Sequence, residues 1–82
     1  MLSFNATIAV CKAIVSGAAA EIRGRNLLGH ERGPERFAVR GAALNAINNV
    51  YYDLMTPKAR DKMRDKGGRE ALLELAGWDD CP

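Results

Sequence analysis

Residues 50–68 read VYYDLMTPKARDKMRDKGG, and they hold two helix boundaries that decide the fold. Thr56 can cap a helix by accepting a backbone N–H bond, and Pro57 suits a first helical turn, where its missing N–H would have had no partner. One helix therefore ends near Met55 and another begins at once at Pro57. Gly67-Gly68 stops this second helix, because glycine tolerates the left-handed backbone common at a helix end. Between these marks only Ala59 and Met63, four apart, offer an apolar side, while Lys58, Arg60, Lys62, Arg64 and Lys66 point mostly to water.

Upstream of the junction, Phe37, Leu44, Ile47, Tyr51 and Leu54 fall on one helical stripe, widened by Ala43 and Val50 into a face expected to be core. Pro34 opens this helix with Glu35 beside its positive end, and Arg40 interrupts the stripe near its start. Farther upstream, Phe4, Ile8, Cys11, Val15, Ala18 and Ile22 alternate at spacings of four and three, which lines them up as the seam of a first helix. Ser3 or Asn5 can cap its start, and Gly24 can stop it. Gly17 with Ala18, and Gly41 with Ala42, thin the two long helices enough for close packing. Downstream, Ala71, Leu72, Leu73 and Leu75 supply a last helix of about two turns, stopped by Gly77 and covered by Trp78. Adjacent residues on a helix diverge, so Tyr52 should face away from Tyr51 and at least one of the two should reach the surface, the alternative being partial cover for the last helix. No internal repeat, low-complexity tract or convincing strand interrupts this pattern. The reading is an all-α fold: a small bundle of two long and two short helices in a single domain over 1–82. The helices span roughly 5–23, 34–55, 57–66 and 69–76, with a loop at 24–33 and a tail at 77–82.

Eighty-two residues suffice for one core and no more, and 48% hydrophobic with 27% charged residues is a globular balance that excludes disordered and fibrous classes. A chain this short buries only about 60 to 65% of its unfolded surface, so a partner or a second copy is an expected source of stability. The formal net charge of +2 is too small to argue for nucleic acid, but its distribution is uneven. From Arg23 to Arg40 five arginines face Glu31 and Glu35, a net +3, and from Lys58 to Arg69 six bases face Asp61 and Asp65. Thr7–Ala20 is broken by Lys12 and lacks a basic start, against a signal peptide, and no run of about 20 apolar residues is counted for a membrane span.

Catalysis requires convergent groups that the pattern does not supply. His30 lies in a charged loop without an orienting partner, and Cys11 sits on the apolar stripe, where burial would raise its pKa and blunt it as a nucleophile. Cys11 and Cys81 lack the close spacing of a zinc site and read as reduced thiols of a cytoplasmic protein; no metal or cofactor is expected. Gly24, Gly29 and Gly33 lack the spacing of a P-loop. Asp61 and Asp65 read as members of a row of i to i+4 ion pairs on a solvated helix.

The run from Ile47 through Arg60, together with Gly67, resembles the third and fourth helices of J domains, the co-chaperones that stimulate heat-shock ATPases. Ile47, Tyr51, Leu54, Pro57, Arg60 and Gly67 match in register; counting back without a gap, Leu44 takes the place of that family's buried phenylalanine and His30 that of its loop histidine. The family's His-Pro-Asp loop is not kept, since Glu31 and Arg32 follow His30, and the first helix lacks the aromatic start. The resemblance, over residues 44–67, implies shared helix packing and, as an alternative function, a degenerate co-chaperone.

The leading expectation is a non-enzymatic helical protein that binds another protein stoichiometrically, as adaptor, antagonist or inhibitor, with a homodimer as one form it can take. A chain of this size with a start methionine suits a phage-like, mobile-element product. The contact residues are Arg25, Arg32, Arg36, Arg40, Tyr52, Lys58, Lys62 and Arg69. The rival is a nucleic-acid binder working through the arginine-rich loop, whose forks suit phosphate but which has no aromatic residue for stacking.

Overall fold

A computed structural model describes residues 1–24 and 33–78, the side chains of residues 23 and 33–36 excepted. Among the described residues the fold is all-α. The elements are α1 Phe4–Gly24, α2 Gly33–Asn49 continued by a π-helical turn Val50–Leu54, α3 Pro57–Lys66 and α4 Arg69–Leu75. Helix α1 packs on α2, α3 and α4, and α2 also packs on α4. Of the loop expected at 24–33, Gly24 and Gly33 instead end α1 and begin α2; residues 25–32 and the tail beyond Trp78, with His30 and Cys81, lie outside the described residues.

The start of α1 is fixed by Ser3, whose Oγ accepts from the Ala6 N–H at 3.3 Å and whose carbonyl accepts from the Thr7 hydroxyl at 2.6 Å. That second bond satisfies the Thr7 side chain, which is fully buried and would otherwise be a costly polar group in the core. Cys11, Val15, Ala18 and Ile22 are buried as their spacing demands, with Phe4 and Ile8 half-buried beside them. By length and composition alone, Phe4–Ile22, with a mean hydropathy of 1.2, also meets the requirement for crossing a membrane. The inner stripe of the same helix is the one that lies in the bundle core.

On α2 the buried stripe differs from the expected one. Val39, Ala43, Ile47, Val50 and Tyr51 are buried, Leu44 is half-buried, and Phe37 is 75% exposed. At about 100° per residue, Phe37 lies roughly 110° round the helix from the centre of the buried stripe. The face that meets α1 is the one with the smaller side chains, which lets the two helices approach. Leu54, 46% exposed, leaves the stripe for another reason. The helix widens at Val50, where the Met55 N–H bonds back to the Val50 carbonyl five residues earlier at 3.0 Å, so fewer degrees are turned per residue and Leu54 swings outward. The close approach expected at Gly17 and Gly41 does not occur, because a Cβ at either would meet nothing within 4 Å. Ala18 and Ala43 are the small residues on the seam, and Ala42 is exposed.

The α2–α3 junction follows its sequence marks. Met55 is extended and fully buried, Thr56 Oγ1 accepts from the Ala59 N–H at 3.1 Å, and Pro57 opens α3. Leu2 pairs with Met55 in an isolated parallel bridge: the Leu2 N–H donates to the Leu54 carbonyl at 2.6 Å, and the Thr56 N–H to the Leu2 carbonyl at 3.0 Å. This clasp uses backbone groups that the break between helices would leave without partners. Helix α3 ends in a double closure, Gly67 N–H to the Arg64 carbonyl and Gly68 N–H to the Met63 carbonyl, with Gly67 at φ 123°. Ala59 and Met63 are buried as expected. On α4, Leu72 and Leu73 are buried, but Leu75 is 46% exposed because it falls on the outer side of so short a helix. Trp78, 7% exposed, covers the end after a turn at Gly77.

Candidate functional site

Helix α3 sorts its charges by angle. With Ala59 and Met63 turned inward, a step of about 100° per residue puts Lys58 and Lys62 on one flank, Arg60 and Arg64 on the other, and Asp61 and Asp65 outermost. Each basic flank lines its own opening. Lys58 and Lys62 border a groove of about 300 Å³ with Ser3, Phe4, Thr56 and Ala59, and Lys62 Nζ lies 4.3 Å from the centroid of the Phe4 ring. Arg60 and Arg64 border a cleft of about 560 Å³ that Tyr51, Tyr52, Gly67, Gly68, Arg69 and Glu70 complete.

The cleft is built by local bonds. Arg60 Nε donates to the Tyr51 carbonyl at 3.1 Å, and its Nη2 donates to the carbonyls of Tyr52 at 3.1 Å and Met55 at 3.3 Å. These carbonyls belong to the widened end of α2, whose last turn cannot satisfy them within the helix, so a guanidinium fork is a fitting cap. The Tyr51 hydroxyl donates in return to the Arg60 carbonyl at 3.5 Å, a long bond. Tyr51 is buried and Tyr52 53% exposed, yet the rings do not face apart: their centroids are 4.9 Å from each other at 85°, an edge-to-face contact. The divergence expected of neighbours on a helix is offset by the lean of the two side chains toward each other. Arg69 Nη1 donates to Asn48 Oδ1 at 3.0 Å, which ties the start of α4 to α2.

The expected contact residues are thereby divided. Tyr52 and Arg69 come together on the Arg60 cleft, and Lys58 and Lys62 on the smaller groove. Arg40 is half-buried on α2 and lines neither opening. Arg25 and Arg32 lie outside the described residues, as does the side chain of Arg36, on α2. Arg60 and Arg64 were not singled out by the sequence reading, although their i, i+4 spacing on the flank opposite Lys58 and Lys62 carries the signal. Asp61 pairs with Arg64 at 3.4 Å across i, i+3, where a row of i, i+4 pairs was expected; both side chains are well exposed, so the pair adds little stability.

Cys11 is fully buried, and burial pushes its thiol up from 9.0 to about 11. It is protonated at neutral pH and packs as a small apolar residue. Among the described residues no three His, Cys, Asp or Glu side chains are grouped to hold a metal ion. Compared with known proteins, the chain matches no family description, no curated sequence and no solved structure, and none of these comparisons speaks for or against the J-domain resemblance.

Proposed function

We propose that this chain is a non-enzymatic helical protein that binds another protein stoichiometrically, as an adaptor, antagonist or inhibitor, and that the corner between α3 and α4 is its docking surface. One observation carries the reading: an exposed tyrosine and three arginines surround a cleft whose α3 and α4 walls are fixed by hydrogen bonds to the end of α2. Tyrosine and arginine contribute most to binding when held in place, because less side-chain freedom is lost on contact. The cleft offers N–H donors, positive charge and an aromatic ring, the means of recognition, and among the described residues its one lining carboxylate is Glu70.

The test is affinity capture from nuclease-treated lysate of the source cells, with wild-type chain and a Tyr52→Ala/Arg69→Glu double variant. A protein retained in a fixed ratio by wild type and lost by the variant, with the helical circular-dichroism signal unchanged, supports the reading. Equal retention by both chains rejects the surface, and turnover of a substrate by the purified chain rejects the class.

A further inference from the structure

We propose that the cleft between α3 and α4 recognises a short acidic segment of a polypeptide, with Arg64 and Arg69 receiving its carboxylates and Tyr52 packing against the apolar part of the same segment. The inference rests on the protein-docking reading and supplies the chemistry of what docks.

The charge balance of the cleft comes first. Arg60, Arg64 and Arg69 against Glu70 leave the lining residues at +2, three positive less one negative. Among the described residues no buried carboxylate neutralises any of the three guanidinium groups. Arg60 donates to backbone carbonyls and Arg69 to a neutral amide oxygen. The Arg64 pairing with Asp61, 3.4 Å long and some two-thirds exposed, can be exchanged for a ligand at little cost. The bonds of Arg60 use Nε and Nη2, so Nη1 remains to face an incoming anion from a position already held. Arg69, whose bond to Asn48 uses Nη1 alone, keeps its Nε–Nη2 edge for two parallel N–H bonds to a carboxylate, a geometry lysine cannot reproduce.

Size and surroundings select the kind of anion. About 560 Å³ accommodates a few side chains. A nucleic-acid strand presents phosphates in continuous succession and needs a basic track that continues past the cleft. Here the track is interrupted on both sides, by Asp61 and Asp65 along the outer face of α3 and by Glu70 and exposed Glu74 on α4. Two or three carboxylates fit between these repulsive flanks, and a longer run of charge does not. The tyrosine ring, half exposed and braced edge-on against Tyr51, then gives an aliphatic side chain or peptide backbone a surface to lie on.

The experiment titrates isotopically labelled full chain, by NMR, with a ten-residue peptide carrying three Asp or Glu around one Leu. Three further ligands are the same peptide with Asn and Gln in place of the acids, a single-stranded oligonucleotide of equal charge, and inorganic phosphate. The expected result is a set of amide shifts at Gly67, Gly68 and Arg69 with the acidic peptide, at least tenfold weaker binding of the amide peptide, and loss of at least fivefold in affinity in Arg64→Gln and in Arg69→Gln. Lys66→Gln, which does not line the cleft, should leave the affinity unchanged. Arg60 is left intact because it also holds the end of α2.

Equal binding of the acidic and amide peptides overturns the inference, as does tighter binding of the oligonucleotide or of phosphate alone, or shifts confined to the Phe4–Lys62 groove. If Tyr52→Ala/Arg69→Glu loses a captured protein while no acidic peptide binds, the ligand class is wrong and the docking surface stands. If neither experiment responds to the cleft, both fall.

Discussion

On α1 and α2, Cys11, Val15, Ala18 and Ile22 share one buried core with Val39, Ala43 and Ile47, and no charged side chain is among them. At the corner between α3 and α4, two buried residues of α3 and two of α4 are surrounded by arginines and closed by a threonine cap, a guanidinium fork and a pair of glycines. The seam is held by apolar surface removed from water, which is non-directional and depends on shape over many residues. The corner is held largely by directed bonds, most spanning at most nine residues and one, Arg69 to Asn48, spanning 21. A surface that must present fixed donors is better built the second way, because its charges can stay near water while the backbone beneath them is held.

The comparison breaks most sharply at Ile47, fully buried on the seam. Ile47→Ala should cost about 2–5 kcal/mol, a large share of what an 82-residue domain can hold, and urea unfolding followed by circular dichroism would register it. A loss below about 1 kcal/mol would mean that the corner alone supports the fold.

Alkaline pH offers a second probe of the seam. The Cys11 thiol is raised in the folded chain from 9.0 to about 11, so above pH 9 the unfolded chain gives up a proton that the folded chain retains. The contribution of the protonated thiol is thus fully present below pH 9 and falls as pH rises toward 11, by about 3 kcal/mol in all. Unfolding at pH 7 and pH 10.5 in wild type and Cys11→Ala separates this from other groups that titrate there, since the variant lacks that part of the pH dependence. Equal slopes would show that the thiol is not desolvated.

The smallest expected effect is at the corner. Arg60→Gln removes the fork from three carbonyls that water can partly reach, for a loss of about 1–2 kcal/mol, with faster hydrogen exchange concentrated at Met55 and in α3. Exchange quickened equally throughout α1 and α2 would join the two regions into one unit.

The corner was also the more legible region. Thr56-Pro57, Gly67-Gly68, Gly77 and Ser3 act on backbone groups within five residues of themselves, so the local sequence is enough to read them. The phase of α2 is not local. Phe37 is the bulkiest apolar residue near the start of that helix and draws the expected stripe toward itself, but α1 selects the flatter face of Val39, Ala43 and Ile47. Leu54 was misplaced because periodicity assumes a constant turn, and the helix widens at Val50. Of the cleft, Tyr52 and Arg69 could be chosen by type and exposure. Arg60 could not be told from the other bases of its run, since its acceptors come within reach only after the chain has folded back at Thr56.

The pairing of Leu2 with Met55 bears on how the protein is made. On the ribosome Leu2 is polymerised some fifty residues before Met55, so its backbone N–H and carbonyl stay with water until Leu54 and Thr56 emerge. The clasp therefore completes only after Leu54 and Thr56 have followed Leu2 out, and the walls of the cleft reach their final arrangement later still, when Arg69 arrives to meet Asn48.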